Sequence, residues 1–225
     1  MIPLKDDNPT RSAPIVTLFL VAINLVVFLW QVWLPEPARQ AFILGLAIIP
    51  DELTRLQPFN AVRLAHGGTT LLTSMFVHGS LLHLGGNLLY LWIFGNNVED
   101  VTGHGRFLLF YLLSGLAAAA TQIAAAPGST VPMLGASGAI AGVLGAYLVL
   151  FPDARVHTLI FIVVFVRVVP VPAVILLGVW LLIQMVNAGS AGGAGIAWFA
   201  HLGGFGAGLL LISILRRRRP RHSLY

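Results

Sequence analysis

Apolar positions in this chain come in long blocks, not in the residue-by-residue alternation of a soluble fold. Residues 14–34 are a continuous apolar run of spanning length, allowing for Asn24 and Gln31, and Pro35 and Pro37 end it. Further runs cover residues 81–98, 107–126, 134–151, 173–186 and 196–215, the fifth beginning near Pro170. A bilayer-crossing helix needs about 20 apolar residues, so six runs predict six transmembrane helices. Residues 158–169 are apolar too, but they hold Arg167 and run into Pro170 and Pro172. They are predicted to lie at the inner interface. Residues 35–80 mix charge with short apolar patches and predict a structured outside loop with short interfacial helices. Loops of that length without a function are uncommon.

The expected fold class is therefore an all-α membrane protein: a six-helix domain over residues 14–215, flanked by tails 1–13 and 216–225. Charge sets the orientation. Lys5, Arg11, Arg106, Arg155, Arg167, Arg216, Arg217, Arg218, Arg219 and Arg221 fall on one side of the predicted bundle, and Arg39, Arg55 and Arg63 on the other. Positive charge collects on cytoplasmic loops, which predicts a multi-pass protein of the cell membrane with both termini cytoplasmic. A seventh span at 158–169 would move the arginine-rich tail outside, against that rule.

Composition agrees. The chain is 57% hydrophobic and 9% charged, against roughly 25% charged for a soluble domain. The net charge of +5 raises nucleic acid as a partner. However, the arginines at 216–219 directly follow an apolar run, which is the pattern of an anchor facing anionic lipid, so no nucleic-acid binding is expected. No cysteine is present, which removes disulfides and thiol chemistry. No signal-peptide cleavage site is read at the first run.

Chemistry enters through polar residues inside the spans. Ser137 stands between Gly135 and Gly138 at the head of the fourth run, His83 and Asn87 share one face of the second, and His201 heads the sixth. At about 1.5 Å per helical residue these groups lie roughly 3–9 Å below the outer surface. Gly135, Gly138, Gly142 and Gly145 on the fourth run, with Gly204 and Gly208 on the sixth, predict close contact between those helices, which would join Ser137 to His201. A serine hydroxyl needs an adjacent base, for which His201 is the candidate. The oxyanion of acyl transfer needs donors, for which Asn87, His83 and the Ser137 backbone N–H are candidates. No carboxylate shares the layer, so a Ser–His dyad is expected. His78 is shallower and is expected to support the loop or the mouth of the site. His66, His104, His157 and His222 are expected to be solvated loop histidines. Packing glycines, interhelical asparagines and structural histidines explain each residue singly. The shared depth favours chemistry.

These residues resemble the rhomboid intramembrane serine proteases. The stretch 135–138 looks like the family's nucleophile motif, and His78, His83 and Asn87 look like its His-x4-His-x3-Asn pattern. Ala200 and His201 with Gly204 and Gly208 look like its base helix, and Gly95, Glu99 and Gly103 like its Gly-x3-Glu-x3-Gly element. The resemblance covers residues 72–210. It implies the six-helix rhomboid fold and peptide hydrolysis within the membrane, on substrates that are transmembrane proteins. It also implies Ser137 as nucleophile, His201 as base, and His83 and Asn87 at the oxyanion. Two positions depart from it. Thr69 and Thr70 stand where several members have Trp-Arg, and Ala141 stands where some have a tyrosine packed on the base. Something else must then orient His201. No cofactor or metal is expected, and no His-Glu-x-x-His occurs. The alternative from another class is a non-catalytic relative that binds transmembrane helices. A transporter is disfavoured, since no inverted repeat is visible.

Overall fold

In a computed structural model the fold is described for residues 1–55, 61–162, 165–190 and 195–217. Among these, three helices are long and apolar enough to cross a membrane: α1 (Ile15–Trp33), α7 (His104–Ala125) and α10 (Trp198–Leu215). Two shorter apolar helices, α8 (Ser137–Leu150) and α9 (Ala173–Gly189), pack with them. A further helical course runs from α5 (Leu81–Tyr90) through a π-helical turn (Leu91–Gly95) into α6 (Asn96–Thr102). The predicted first loop contains α2 (Glu36–Leu46), α3 (Pro50–Thr54), α4 (Ala61–Thr73) and a 3₁₀ turn (Ser74–Phe76).

The helix α1 is polar inward and apolar outward. Its buried residues are Thr17, Leu20, Asn24, Phe28 and Gln31, a stripe at helical spacing, while Leu18, Phe19, Val26, Leu29 and Trp30 are exposed. Water would punish that arrangement and lipid rewards it, since polar groups in a bilayer turn toward protein partners. Asn24 and Gln31 therefore do not break the span. Asn24 donates to the Leu20 carbonyl at 2.7 Å, and Gln31 donates to the His78 carbonyl at 2.6 Å.

Glu99 fastens the start of this helix. Its carboxylate is fully buried and accepts from the backbone N–H groups of Val16 and Thr17, both at 2.8 Å, and from the Thr17 hydroxyl at 2.7 Å. An acidic group at a helix N-terminus satisfies N–H groups that have no partner within the helix. His104 Nδ1 lies 2.6 Å from the same carboxylate. Gly95 makes room, because a Cβ there would stand 3.2 Å from Thr17 Oγ1.

The all-α expectation is corrected by a three-stranded antiparallel sheet in the order β1-β2-β3. Strands β2 (Arg155–Ile162) and β3 (Phe165–Pro172) form a hairpin from the stretch predicted to lie at the interface. Strand β1 (Ile2–Asp6), from the predicted tail, pairs along β2 with Ile2 opposite Leu159 and Asp6 opposite Val156. Valine, isoleucine and threonine dominate the hairpin, and their branched side chains suit a pleated surface. Asp6 Oδ2 accepts from the Tyr147 hydroxyl at 2.5 Å and from Asn97 Nδ2 at 2.9 Å, which ties the sheet to α8 and α6.

The core lies around α8, where Ala139 to Tyr147 are all buried. It packs on Phe94, Phe107, Phe110, Tyr111 and Phe205. Helices α8 and α10 meet backbone to backbone. A Cβ on Gly204 would overlap the Gly138 carbonyl, and one on Gly208 the Gly142 carbonyl. Only glycine permits that approach.

Candidate active site

The chain reaches Ser137 through a turn that its neighbours fix. Met133 and Ile48 exchange backbone hydrogen bonds at 2.7 and 3.0 Å, and the Gly135 N–H donates to the Ser74 carbonyl at 2.8 Å. Gly135 has φ +110°, a conformation that favours glycine. The turn delivers Ser137 as the first residue of α8, where N–H groups lack intrahelical partners. His201 lies in the first turn of α10. With the two backbones in contact along the glycine faces, His201 Nε2 stands 2.9 Å from Ser137 Oγ.

The predicted His83 and Asn87 arrive from α5. Ser80 caps that helix, its hydroxyl accepting from the His83 N–H at 3.1 Å. Both side chains border the turn before Ser137, because a Cβ on Gly135 would lie 2.6 Å from the His83 ring and 3.4 Å from Asn87 Nδ2. Asn87 is buried, and its Nδ2 has no hydrogen-bond partner among the described residues. Gly138 is packed against Ala118 and Ala200. His78 is fully buried with its ring edge-on to His83, centroids 5.1 Å apart. Burial, and after it the neighbouring His83, push the His78 imidazole down to about 4.

These groups open onto one cavity of about 780 Å³, lined by Ser137, His201, His83 and Asn87 together with Trp180 and Gln184 of α9. The last two were not singled out from the sequence. Gln184 Oε1 lies 2.8 Å from His201 Nδ1. The Trp180 ring lies over His201 with centroids 5.9 Å apart and planes 39° apart, and Trp198 meets it edge-on. Trp180 thus occupies the packing role left open by Ala141. One signal could have exposed Gln184: it is the only amide, acid or base in the run predicted as the fifth span, residues 173–186.

Other expectations fare differently. His104 pairs with Glu99, and His157 Nε2 lies 2.8 Å from Asp7 Oδ1, so each keeps some solvent contact but also has a carboxylate partner. Thr70, in place of the family's arginine, is buried and donates to the Gly67 carbonyl at 3.0 Å. Residues 191–194, in the glycine-rich stretch after α9, and the tail residues Arg218, Arg219, Arg221 and His222 lie outside the described residues, as do the side chains of Arg63 and His66.

Residues 65–218 match the family model for the Rhomboid domain. The chain belongs to the rhomboid family. Among rhomboid relatives, it is 33% identical to "Rhomboid protein 1, mitochondrial" of Saccharomyces cerevisiae over 201 residues, 85% of this chain and 50% of that one. It is 45% identical to "Rhomboid protease GluP" of Bacillus subtilis over 78 residues, 35% of this chain and 15% of the relative. It is 35% identical to the human "Presenilin-associated rhomboid-like protein, mitochondrial" over 97 residues, 42% and 25% of the two chains. The chain spans half or less of the length of these curated rhomboid relatives. Both family and apolar helices make it a membrane protein.

Proposed function

We propose that this rhomboid is an intramembrane serine endopeptidase acting on transmembrane proteins through a dyad of Ser137 and His201. The observation that carries the reading is the 2.9 Å approach of His201 Nε2 to Ser137 Oγ beside a cavity that also exposes Asn87 and His83. A relative named a rhomboid protease supports it.

In the proposed reaction His201 Nε2 takes the hydroxyl proton as Ser137 Oγ attacks the scissile carbonyl carbon. The carbonyl oxygen becomes an oxyanion, stabilised by Asn87 Nδ2, the His83 ring N–H and the Ser137 backbone N–H. The intermediate collapses as His201 returns the proton to the leaving amine, giving an acyl-enzyme on Ser137. Water, deprotonated by His201, then attacks that ester, and the serine hydroxyl is regenerated with a free carboxylate product. His78 supports His83 from behind.

The reading includes six spans over residues 14–215, the stretch 35–80 and the active layer near the outer surface, and both ends on the cytoplasmic face. The cell membrane is the expected location, and the mitochondrial names of two relatives make a mitochondrial membrane the alternative that fractionation distinguishes.

The test is labelling by a fluorophosphonate, alongside cleavage of a reconstituted single-span substrate. Label and cleavage both present in wild type and both lost in Ser137→Ala, with the variant still inserting and purifying, are the expected result. Cleavage unchanged in Ser137→Ala removes its role. A wild-type protein that takes no label but binds the substrate helix is the non-catalytic binder.

A further inference from the structure

The Ser–His pair uses one nitrogen of His201; the other is held by a residue from a different helix. Gln184 is 4% exposed on α9. Its Nε2 donates to the Trp180 carbonyl at 2.9 Å, one turn back on the same helix, and its Oε1 faces His201 Nδ1 at 2.8 Å. An amide nitrogen only donates and an amide oxygen only accepts. The opposite orientation would set two oxygens against each other at Trp180 and point a donor at the imidazole. With the oxygen toward the ring, Nδ1 carries the hydrogen. In a neutral imidazole the lone pair is then on Nε2, the atom 2.9 Å from Ser137 Oγ.

We propose that Gln184 is a positioning residue that holds His201 as the Nδ1–H tautomer, its own amide fixed by the Trp180 carbonyl. The inference rests on the Ser–His reading given above. It accounts for how a base without a carboxylate neighbour keeps its lone pair aimed at the nucleophile. In a Ser-His-Asp site, exchanging the acid for an amide costs about 10⁴ in kcat because the wrong tautomer is selected. Here a second hydrogen bond decides which end of the amide the imidazole meets. A neutral acceptor also avoids placing an ionised carboxylate in an apolar helix, where its desolvation would cost several kcal/mol. Trp180 and Trp198 limit rotation of the ring from two sides. The link crosses from α9 to α10, so it also makes the competence of the base depend on where α9 is seated.

The experiment uses the full chain, in vesicles of phosphatidylcholine and phosphatidylglycerol, with histidine ¹⁵N spectra beside substrate cleavage and fluorophosphonate labelling. In wild type, His201 is expected to show a protonated Nδ1 and a bare Nε2. Gln184→Leu is expected to mix the tautomers and lower kcat by about 10- to 100-fold with KM unchanged, the scale of a misaligned catalytic group. Gln184→Glu, held protonated by its apolar surroundings, can donate its O–H to the Trp180 carbonyl and turn its other oxygen to Nδ1, and is expected to recover the Nδ1–H signal and part of kcat. A wild-type His201 protonated on Nε2 overturns the proposal without any variant. So does Gln184→Leu that keeps both the wild-type spectrum and the wild-type kcat. A wild type that never labels at Ser137 defeats the proteolytic reading instead, and the spectrum still judges Gln184.

Discussion

The Gly138 carbonyl occupies the space that a side chain on Gly204 would need, and this backbone contact is what sets His201 beside Ser137. The distance between Ser137 Oγ and His201 Nε2 is therefore a packing property of α8 and α10. Gly204→Ala must push the helices apart. Overpacking of this kind costs about 1–3 kcal/mol, and a shift near 1 Å at the reacting atoms costs about 10²-fold in rate. Gly206→Ala is the matched control, since nothing lies within 4 Å of its Cβ position. Cleavage assays and thermal melts of the two variants should separate sharply. Equal activity would mean that the helix contact does not set the dyad.

A second prediction concerns Glu99, far along the chain from Ser137. Its buried carboxylate holds two backbone N–H groups and a hydroxyl at the start of α1. Glu99→Ala leaves those donors without partners, at a cost on the order of 3 kcal/mol. The melting temperature should fall, while kcat of the protein that remains folded stays close to wild type. A variant that melts normally but cannot cleave would assign Glu99 to chemistry instead.

The depressed His78 imidazole gives a pH dependence of known sign. The group titrates near its ordinary 6.5 when unfolded and near 4 when folded. Between those values the unfolded chain binds the extra proton, so stability rises with pH across that window and is lost as pH falls from 6.5 toward 4. Melting temperatures of wild type should drop over that range, and those of His78→Leu should drop less. Parallel curves for the two proteins would remove His78 as the cause.

How much of this was legible in the sequence follows from what each residue reports locally. The run that became α1 was plain from apolar length, and the α8–α10 contact was readable from glycines three and four apart. The hairpin was not. A continuous apolar stretch with branched residues does not by itself distinguish buried strand from helix. Its partner strand was hidden in residues 2–6, which read as a polar tail because the paired residues lie 150 or more positions apart. Gln184 was missed for a related reason: its importance lies in a neighbour from another helix, and one amide in an apolar run is ordinary interhelical glue.

Asn87 offers a donor that the described residues leave unused. Its Nδ2 is buried, has no partner among the described residues, and borders the turn that delivers Ser137. A buried donor without a partner costs about 1–3 kcal/mol, which is recovered if an oxyanion forms in front of it. Asn87→Ala should therefore lower kcat by about 10²- to 10³-fold with KM little changed, because the interaction exists only once the carbonyl has become tetrahedral. Asn87→Ala acting mainly on KM would make the residue a substrate contact.

The last prediction is about the peptide that is cut. In the proposed reaction Ser137 Oγ must approach one face of a carbonyl carbon while the carbonyl oxygen turns toward Asn87 and His83. In a regular helix each carbonyl is already bonded to the N–H four residues on, and the surrounding turns cover the line of attack. The scissile segment must therefore leave helical geometry first. Glycine costs about 1 kcal/mol in a helix interior and proline about 3. A substrate carrying either near the cut should be cleaved faster than one with leucine there, by about fivefold for each kcal/mol by which helix propensity is lowered. Cleavage rates of matched single-span substrates in vesicles measure this directly, and equal rates for the uninterrupted helix would show that no unwinding precedes attack.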